Sequence, residues 1–116
     1  MKEECIFCSI VNGKIPAEKI FESDNFFAIK DIHPKTKGHT LIIPKKHYKN
    51  FLEMPSLLFS EFLSITKEAT LKIMQREKAE GFNLVMNNFK IAGQVIEHAH
   101  LHILPRYSDD NFKINV

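Results

Sequence analysis

The sequence predicts an α+β domain: a five-stranded, antiparallel sheet with one long and one short helix. Three observations carry this. Short β-rich apolar runs are separated by polar turn residues. One long segment, 55–80, has apolar residues at helical spacing. One segment near the C-terminus, 98–104, alternates strictly between histidine and aliphatic side chains.

In chain order, 5–11 (Cys-Ile-Phe-Cys-Ser-Ile-Val) forms a short apolar stretch closed by Asn12-Gly13 and Pro16, which predicts a turn or two of helix. Lys19–Glu22 and Phe26–Ile29 flank the polar Ser23-Asp24-Asn25 and form a hairpin. Pro34 to Gly38 is a loop, and His39–Pro44 is a third strand too apolar to face water. Over 55–80, Leu58, Phe62, Ile65, Ala69 and Ile73 share one helical face. Pro55 suits its first turn and Gly81 its C-terminal cap. Phe82–Asn87 is a fourth strand, Asn88–Gly93 a turn, and His98–Leu104 a fifth strand stopped by Pro105. Residues 108–116 give no clear signal.

Composition bounds the function. The 116 residues, 44% hydrophobic and 26% charged, suit one soluble domain spanning 1–116, with no repeat or low-complexity tract. The balance of 16 basic against 14 acidic residues leaves +2, too near neutral for bulk attraction to nucleic acid. No apolar run approaches the roughly 20 residues that span a bilayer, and the first five residues lack a signal-peptide core. The expected compartment is the cytoplasm. There, two cysteines read as metal ligands or redox thiols rather than a structural disulfide.

The chemistry concentrates in His98-Ala-His100-Leu-His102. On a strand the three imidazoles share one face, while Ala99, Leu101 and Ile103 form an apolar face behind them. Such a row can bind a metal ion or act in nucleophilic and acid–base chemistry. Neutral imidazole attacks phosphorus near pH 7, and a second, protonated imidazole can stabilise charge or protonate a leaving group. A backbone carbonyl can fix the nucleophile's tautomer. Cys5-x-x-Cys8 is open to three readings: a redox pair, a zinc knuckle, or two core thiols. His33 and Lys45-Lys46 read as solvated.

His98-x-His100-x-His102 followed by Ile103-Leu104 resembles the signature of the histidine-triad (HIT) family. Cys5-Ile-Phe-Cys8-Ser-Ile, Ile15-Pro16-Ala17, Asp31-Ile32, Gly38-His39 through Pro44 to His47, and Gly93-Gln94 resemble its Hint-like branch, in the bacterial type with an N-terminal Cys pair. The likeness runs from about residue 5 to Tyr107. It implies a nucleotide-binding hydrolase or transferase, dimerised through its sheets. His100 resembles the nucleophile, with His102 and His39 as its partners at the phosphate. Asp31 resembles the carboxylate that holds the ribose diol. Ile6, Phe7, Ile10, Ile29 and Ile32 resemble the base pocket, and Asn87, Gly93 and Gln94 the contacts on the phosphate and leaving-group side.

Val95 stands where the family often has a serine, and the chain has no Trp, so leaving-group preference does not carry over. Cys5, Cys8, His47 and His98 resemble the Cys₂His₂ zinc site of some bacterial relatives, a closed and therefore structural shell. The expectation is a metal-independent nucleotidyl hydrolase, a nucleoside phosphoramidase or dinucleoside polyphosphate hydrolase. It would act on a purine nucleotide through a nucleotidyl-His100 intermediate, as a homodimer, with structural zinc and no organic cofactor. Two rival readings are a metal-dependent hydrolase using the His row as ligands and a non-catalytic nucleotide-sensing or adaptor module.

Overall fold

The computed structural model describes residues 5–114 and 116. Residues 1–4, on which the absence of a signal peptide is read, lie outside this description, as does residue 115. The elements are α1 (Ile6–Val11), β1 (Lys19–Glu22), β2 (Phe26–Lys30), β3 (Thr40–Pro44), α2 (Phe59–Glu77), β4 (Gly81–Val85) and β5 (Leu101–Arg106). The five strands form one sheet in the order β1-β2-β3-β5-β4, and every neighbouring pair is antiparallel. This is the predicted fold class. Among the described residues no helix is long and apolar enough to cross a membrane.

Alternation along the strands divides the core in two. Phe26, Ala28, Ile42, Leu101 and Ile103 face α2, which lays Phe62, Ile65, Ala69 and Ile73 against them. Phe27, Ile29, Leu41 and Ile43 face the other way and pack beneath Phe7 and Ile10 of α1. Side chains of period two therefore serve both layers, which is why β2 up to Ile29 and β3 from Leu41 are apolar on both faces.

Several boundaries differ from the sequence reading. Cys5 is not helical; it caps α1, its Sγ accepting the Cys8 N–H at 3.4 Å. Pro55 starts a separate 3₁₀ turn, Ser56–Leu58, and the long helix begins only at Phe59. It ends at Lys78, which takes the left-handed conformation (φ 56°) that the sequence assigns to Gly81; Gly81 instead opens β4. β4 stops at Val85, so Asn87 lies in the following loop. Strand pairing in β5 begins at Leu101 and runs through Pro105. Pairing with β3 ends at Ile103, so Pro105 sits where one side of β5 has no partner strand to miss its N–H. His98–His100 precede regular strand but keep its alternation, because the Ala99 N–H is held by the Tyr48 carbonyl at 2.7 Å.

Candidate active site

The layer beneath α1 opens into a cleft of about 430 Å³. Ile6, Phe7 and Ile10 come to it from α1, Ile29 from the end of β2, and Asp31 and Ile32 from the loop after it. Asn87 and Gly93 come from the β4–β5 connection, and His100 and His102 from β5 and its approach. Ile32 is 75% exposed and Ile6 38%, so the apolar walls stand open to an entering group.

Two expected residues lie off the cleft surface. His39, 3% exposed, stands behind His102. Gln94 is buried, and its amide is consumed by the backbone: Oε1 accepts from Phe89 N–H (2.8 Å), and Nε2 donates to the carbonyls of Lys49 (2.6 Å) and Ile96 (3.0 Å). It braces the loop that carries Gly93 and Val95. Ile15, Pro16, Lys30, Lys35, Val95 and Ile96 also line the cleft. His33, read as solvated, lines it as well.

Hydrogen bonds set the imidazole tautomers. His100 Nδ1–H donates to the His98 carbonyl at 2.8 Å, which leaves the Nε2 lone pair available. The Lys35 backbone N–H donates to His39 Nδ1 at 3.0 Å, so neutral His39 carries its proton on Nε2. That proton faces His102 Nδ1 at 2.9 Å and Asp31 Oδ2 at 3.4 Å. Neutral His102 therefore carries its own proton on Nε2. Asp31 is fixed through Oδ1, which accepts the His33 N–H at 2.9 Å.

Burial lowers the basicity of all three rings. For His100 the bond to the His98 carbonyl and the Asp31 charge act in opposition to burial. For His39 the Asp31 carboxylate does so. Burial, reinforced by the neighbouring His100 and His39 rings, pushes His102 down to about 4. Neutral His100 and His102 thus face the cleft at pH 7, the form needed for a nucleophile.

The first histidine of the row belongs to a different cluster. His98 is fully buried, and its Nε2–H donates to the Pro44 carbonyl at 2.8 Å. That leaves Nδ1 facing Cys5 Sγ at 3.3 Å and Cys8 Sγ at 3.6 Å, while His47 Nδ1 lies 3.3 Å from Cys8 Sγ. The four ligand atoms lie within 4.8 Å of one another. A tetrahedral zinc with two sulfur and two nitrogen ligands sets its ligand atoms about 3.3–3.8 Å apart, so donor types and spacings suit that ion. Phe7 joins the two clusters, its ring packing edge-on against both His98 (5.6 Å) and His100 (5.1 Å).

A second acidic and imidazole group, Asp31, His39 and His102, also lies within 4.8 Å. There the His39 Nε2 proton already occupies the space between the two rings, so this trio is arranged as a hydrogen-bonded chain. The three histidines of the row do not converge on one point: His98 turns to the thiols and His102 to His39.

Comparison with known proteins agrees with this geometry. Residues 12–109 match the model of the HIT domain family. An uncharacterized HIT-like protein of Methanocaldococcus jannaschii is 45% identical over 91% of this chain and 81% of its own length. The adenylylsulfatase HINT3 of Arabidopsis thaliana is 38% identical over 95% of this chain, which spans only 56% of that protein. The adenosine 5'-monophosphoramidase HNT1 of Candida albicans is 38% identical over 88% of this chain and 70% of its own. Among solved structures, SMU.412c of Streptococcus mutans superposes with a TM-score of 0.93 at 39% identity, covering 98% of this chain and 73% of that one. A zinc-bound histidine triad family protein of Mycobacterium smegmatis gives 0.90 at 34% identity, covering 99% and 84%. Signature, sheet order and the pairing of buried imidazoles point the same way, and the chain belongs to the HIT domain family.

Proposed function

We propose that this protein is a nucleotide-binding hydrolase or transferase that cleaves a phosphoramidate or phosphoanhydride bond at a nucleoside phosphate, through a covalent intermediate on His100. The single observation that carries this is the 2.8 Å bond from His100 Nδ1–H to the His98 carbonyl. It fixes a buried neutral imidazole with its reactive Nε2 at the cleft wall. The relatives named for phosphoramidase and adenylylsulfatase activity support the same class of bond.

In this reading a purine base lies among Ile6, Phe7, Ile10, Ile29 and Ile32, and the Asp31 carboxylate accepts from the ribose diol. The phosphate charge raises the basicity of the adjacent His39–His102 pair, so the pair takes up one proton on binding. Nε2 of His100 forms a bond to phosphorus as the bond to the leaving group breaks, and the protonated pair gives its proton to the departing atom. In the second half a water attacks, its proton returns to the pair, and the His100–phosphorus bond breaks. Nucleoside monophosphate and neutral His100 result, with atoms and charge balanced. Asn87 and Gly93 border the leaving-group side, and Gln94 holds that loop.

Cys5, Cys8, His47 and His98 would hold zinc in a closed shell, which supplies structure rather than a reactive water. It would tie α1, and with it Ile6 and Phe7, to the start of the catalytic row. The whole chain would act as one domain in the cytoplasm, as a homodimer. The exposed sheet edge at β4, where Phe82 and Leu84 are each 46% exposed, supports self-association.

His100→Ala tests the reading, with adenosine phosphoramidate and a dinucleoside polyphosphate as substrates, with and without chelator. Turnover should fall by several orders of magnitude while nucleotide affinity changes little. A variant that keeps more than about a tenth of wild-type turnover refutes the nucleophile, and loss of wild-type turnover on chelating free metal favours a metal-dependent hydrolase.

A further inference from the structure

The two cysteines have a chemistry open to them besides holding an ion. Both come from one short element: Cys5 caps α1 and Cys8 lies in its first turn. Residues three apart on a helix have α-carbons about 5 Å apart, inside the roughly 4.4–6.8 Å that a disulfide spans. The two Sγ atoms lie within 4.8 Å of each other, and the Cys8 N–H donates to Cys5 Sγ at 3.4 Å, which draws that sulfur back over the turn. Their exposure is unequal: Cys5 is half-buried and Cys8 buried, so an oxidant reaches Cys5 first and Cys8 stands behind it. The two imidazoles belong to the sheet. His47 follows the end of β3 and His98 precedes β5, where its Nε2–H is held by the Pro44 carbonyl at 2.8 Å. The cluster therefore clasps α1 to the sheet, and a bond between the two sulfurs would lie wholly on the α1 side of that clasp.

We infer that Cys5 and Cys8 form a reversible dithiol–disulfide switch, driven by hydrogen peroxide, that unclasps α1 from the sheet and withdraws its wall of the cleft. The consequence for nucleotide binding rests on the function proposed above. The Cys5 thiolate attacks one peroxide oxygen, the O–O bond breaks and hydroxide leaves, which makes Cys5 a sulfenic acid. The Cys8 thiolate then attacks Cys5 Sγ, the S–O bond breaks and a second hydroxide leaves. The two sulfurs have lost two electrons, the peroxide has gained them, and two protons from solvent complete two waters. A thiol reductant reverses the bond by exchange. The closed zinc shell needs both sulfurs as thiolates, whereas neither sulfur of a disulfide carries charge, so the two forms exclude each other. The disulfide closes a ring within one turn and ties α1 to no other element, so it does not replace the clasp. Phe7 carries the effect to the cleft: it stands between the two cysteines in sequence, lines the cleft, and packs its ring against both His98 and His100. The His98 carbonyl that receives the His100 proton lies on the sheet side, where the Ala99 N–H is held by the Tyr48 carbonyl. The switch therefore moves the base wall and leaves the nucleophile in place.

The experiment treats the reduced, zinc-loaded full chain with hydrogen peroxide, then with dithiothreitol and zinc. Four quantities are read: the mass of the peptide holding both cysteines, zinc released to a colorimetric chelator, amide hydrogen exchange, and affinity for adenosine monophosphate. Peroxide should remove two hydrogens from that peptide, release the zinc, and speed exchange in 6–11 more than in 101–106. Withdrawing one aromatic wall should weaken nucleotide binding by at least about tenfold. Dithiothreitol with zinc should restore all four, which separates the switch from methionine oxidation, since a thiol does not reverse that. Cys8→Ala should stop at the Cys5 sulfenic acid, captured by dimedone, a readout of the chemistry that does not depend on the variant's stability. Reduced protein that takes up no zinc, peroxide-treated protein that keeps both thiols or oxidises them beyond reversal, or a disulfide form with zinc and exchange unchanged overturns the switch. Reduced protein that binds zinc but not the nucleotide overturns the nucleotide reading, and mass, zinc and exchange still decide the switch.

Discussion

Replacing Gly38 with Ala should be among the most damaging one-carbon additions in this protein. Gly38 sits at φ +89°, a conformation that costs a residue with a Cβ about 1–2 kcal/mol. A Cβ built there lies 3.0 Å from Glu77 Cγ, 3.2 Å from Pro105 Cγ and 3.3 Å from Ile73 Cγ2. Glu77 can swing aside, but Ile73 and Pro105 are buried and pinned by the sheet and helix. Overpacking of this kind costs about 1–3 kcal/mol. Together the two terms give roughly 2–5 kcal/mol, which for a chain of this length lowers Tm by about 8–20 °C. The turn also feeds His39, whose N–H is held by the Thr36 carbonyl at 3.1 Å, so turnover of the folded fraction should fall too. Gly13→Ala is the matched control: it has φ +78° and nothing within 4 Å, so it bears only the backbone cost. Thermal melting followed by circular dichroism measures both. If Gly38→Ala lowers Tm by no more than Gly13→Ala does, the steric argument fails.

Other expectations follow from the site. A Cys5→Ser/Cys8→Ser protein should carry no zinc, melt lower than wild type and loosen residues 5–12 before losing turnover; metal-free wild type melting with the variant would remove the zinc site. Asp31→Asn should narrow the preference for ribo- over 2′-deoxyribonucleotides, a difference worth about 1.5–3 kcal/mol in wild type; equal wild-type affinities would refute the ribose contact. His102, pushed down to about 4, binds its proton more weakly folded than unfolded, so stability should be full above pH 6.5 and decline as pH falls from 6.5 toward 4. Solvent screening of this partly exposed ring holds the loss to about 1–2 kcal/mol. His102→Gln should flatten that decline in urea titrations, and an unchanged slope would count against it.

Much of the site was legible because its signal is local. Alternation at 98–104 placed His100 and His102 on one face and Ala99, Leu101 and Ile103 on the other, and side-chain parity survived even where regular pairing did not. The helix ends were less legible. Lys78 in a left-handed conformation and the 3₁₀ turn after Pro55 depend on how the chain must enter β4 and leave the Asn50–Met54 turn, not on their own propensities. The family likeness named Gln94 as a contact, but only the folded loop shows its amide spent on three backbone groups. Lys35 was invisible for the converse reason: its contribution to the imidazole chain is a backbone N–H, which no side-chain pattern encodes. The C-terminal segment gave no signal because an arginine–aspartate clasp fixes it, and neither partner belongs to a periodic run.

The sheet is a partition between two chemistries, and this has a consequence for how such a protein can diverge. Leu101 and Ile103 pack toward α2, while His102, which stands between them, faces the cleft. Changes in the aliphatic packing under α2 and changes in the pocket walls involve separate sets of partners, so their effects should add rather than multiply. A lineage can therefore retune what it binds by drift on one side of five strands, with the packing under α2 on the other side left untouched. The exception is His98. Its carbonyl accepts from His100, the proposed nucleophile, and its ring joins the thiol cluster, so it serves both the anchor and the cleft, and variation there has little room.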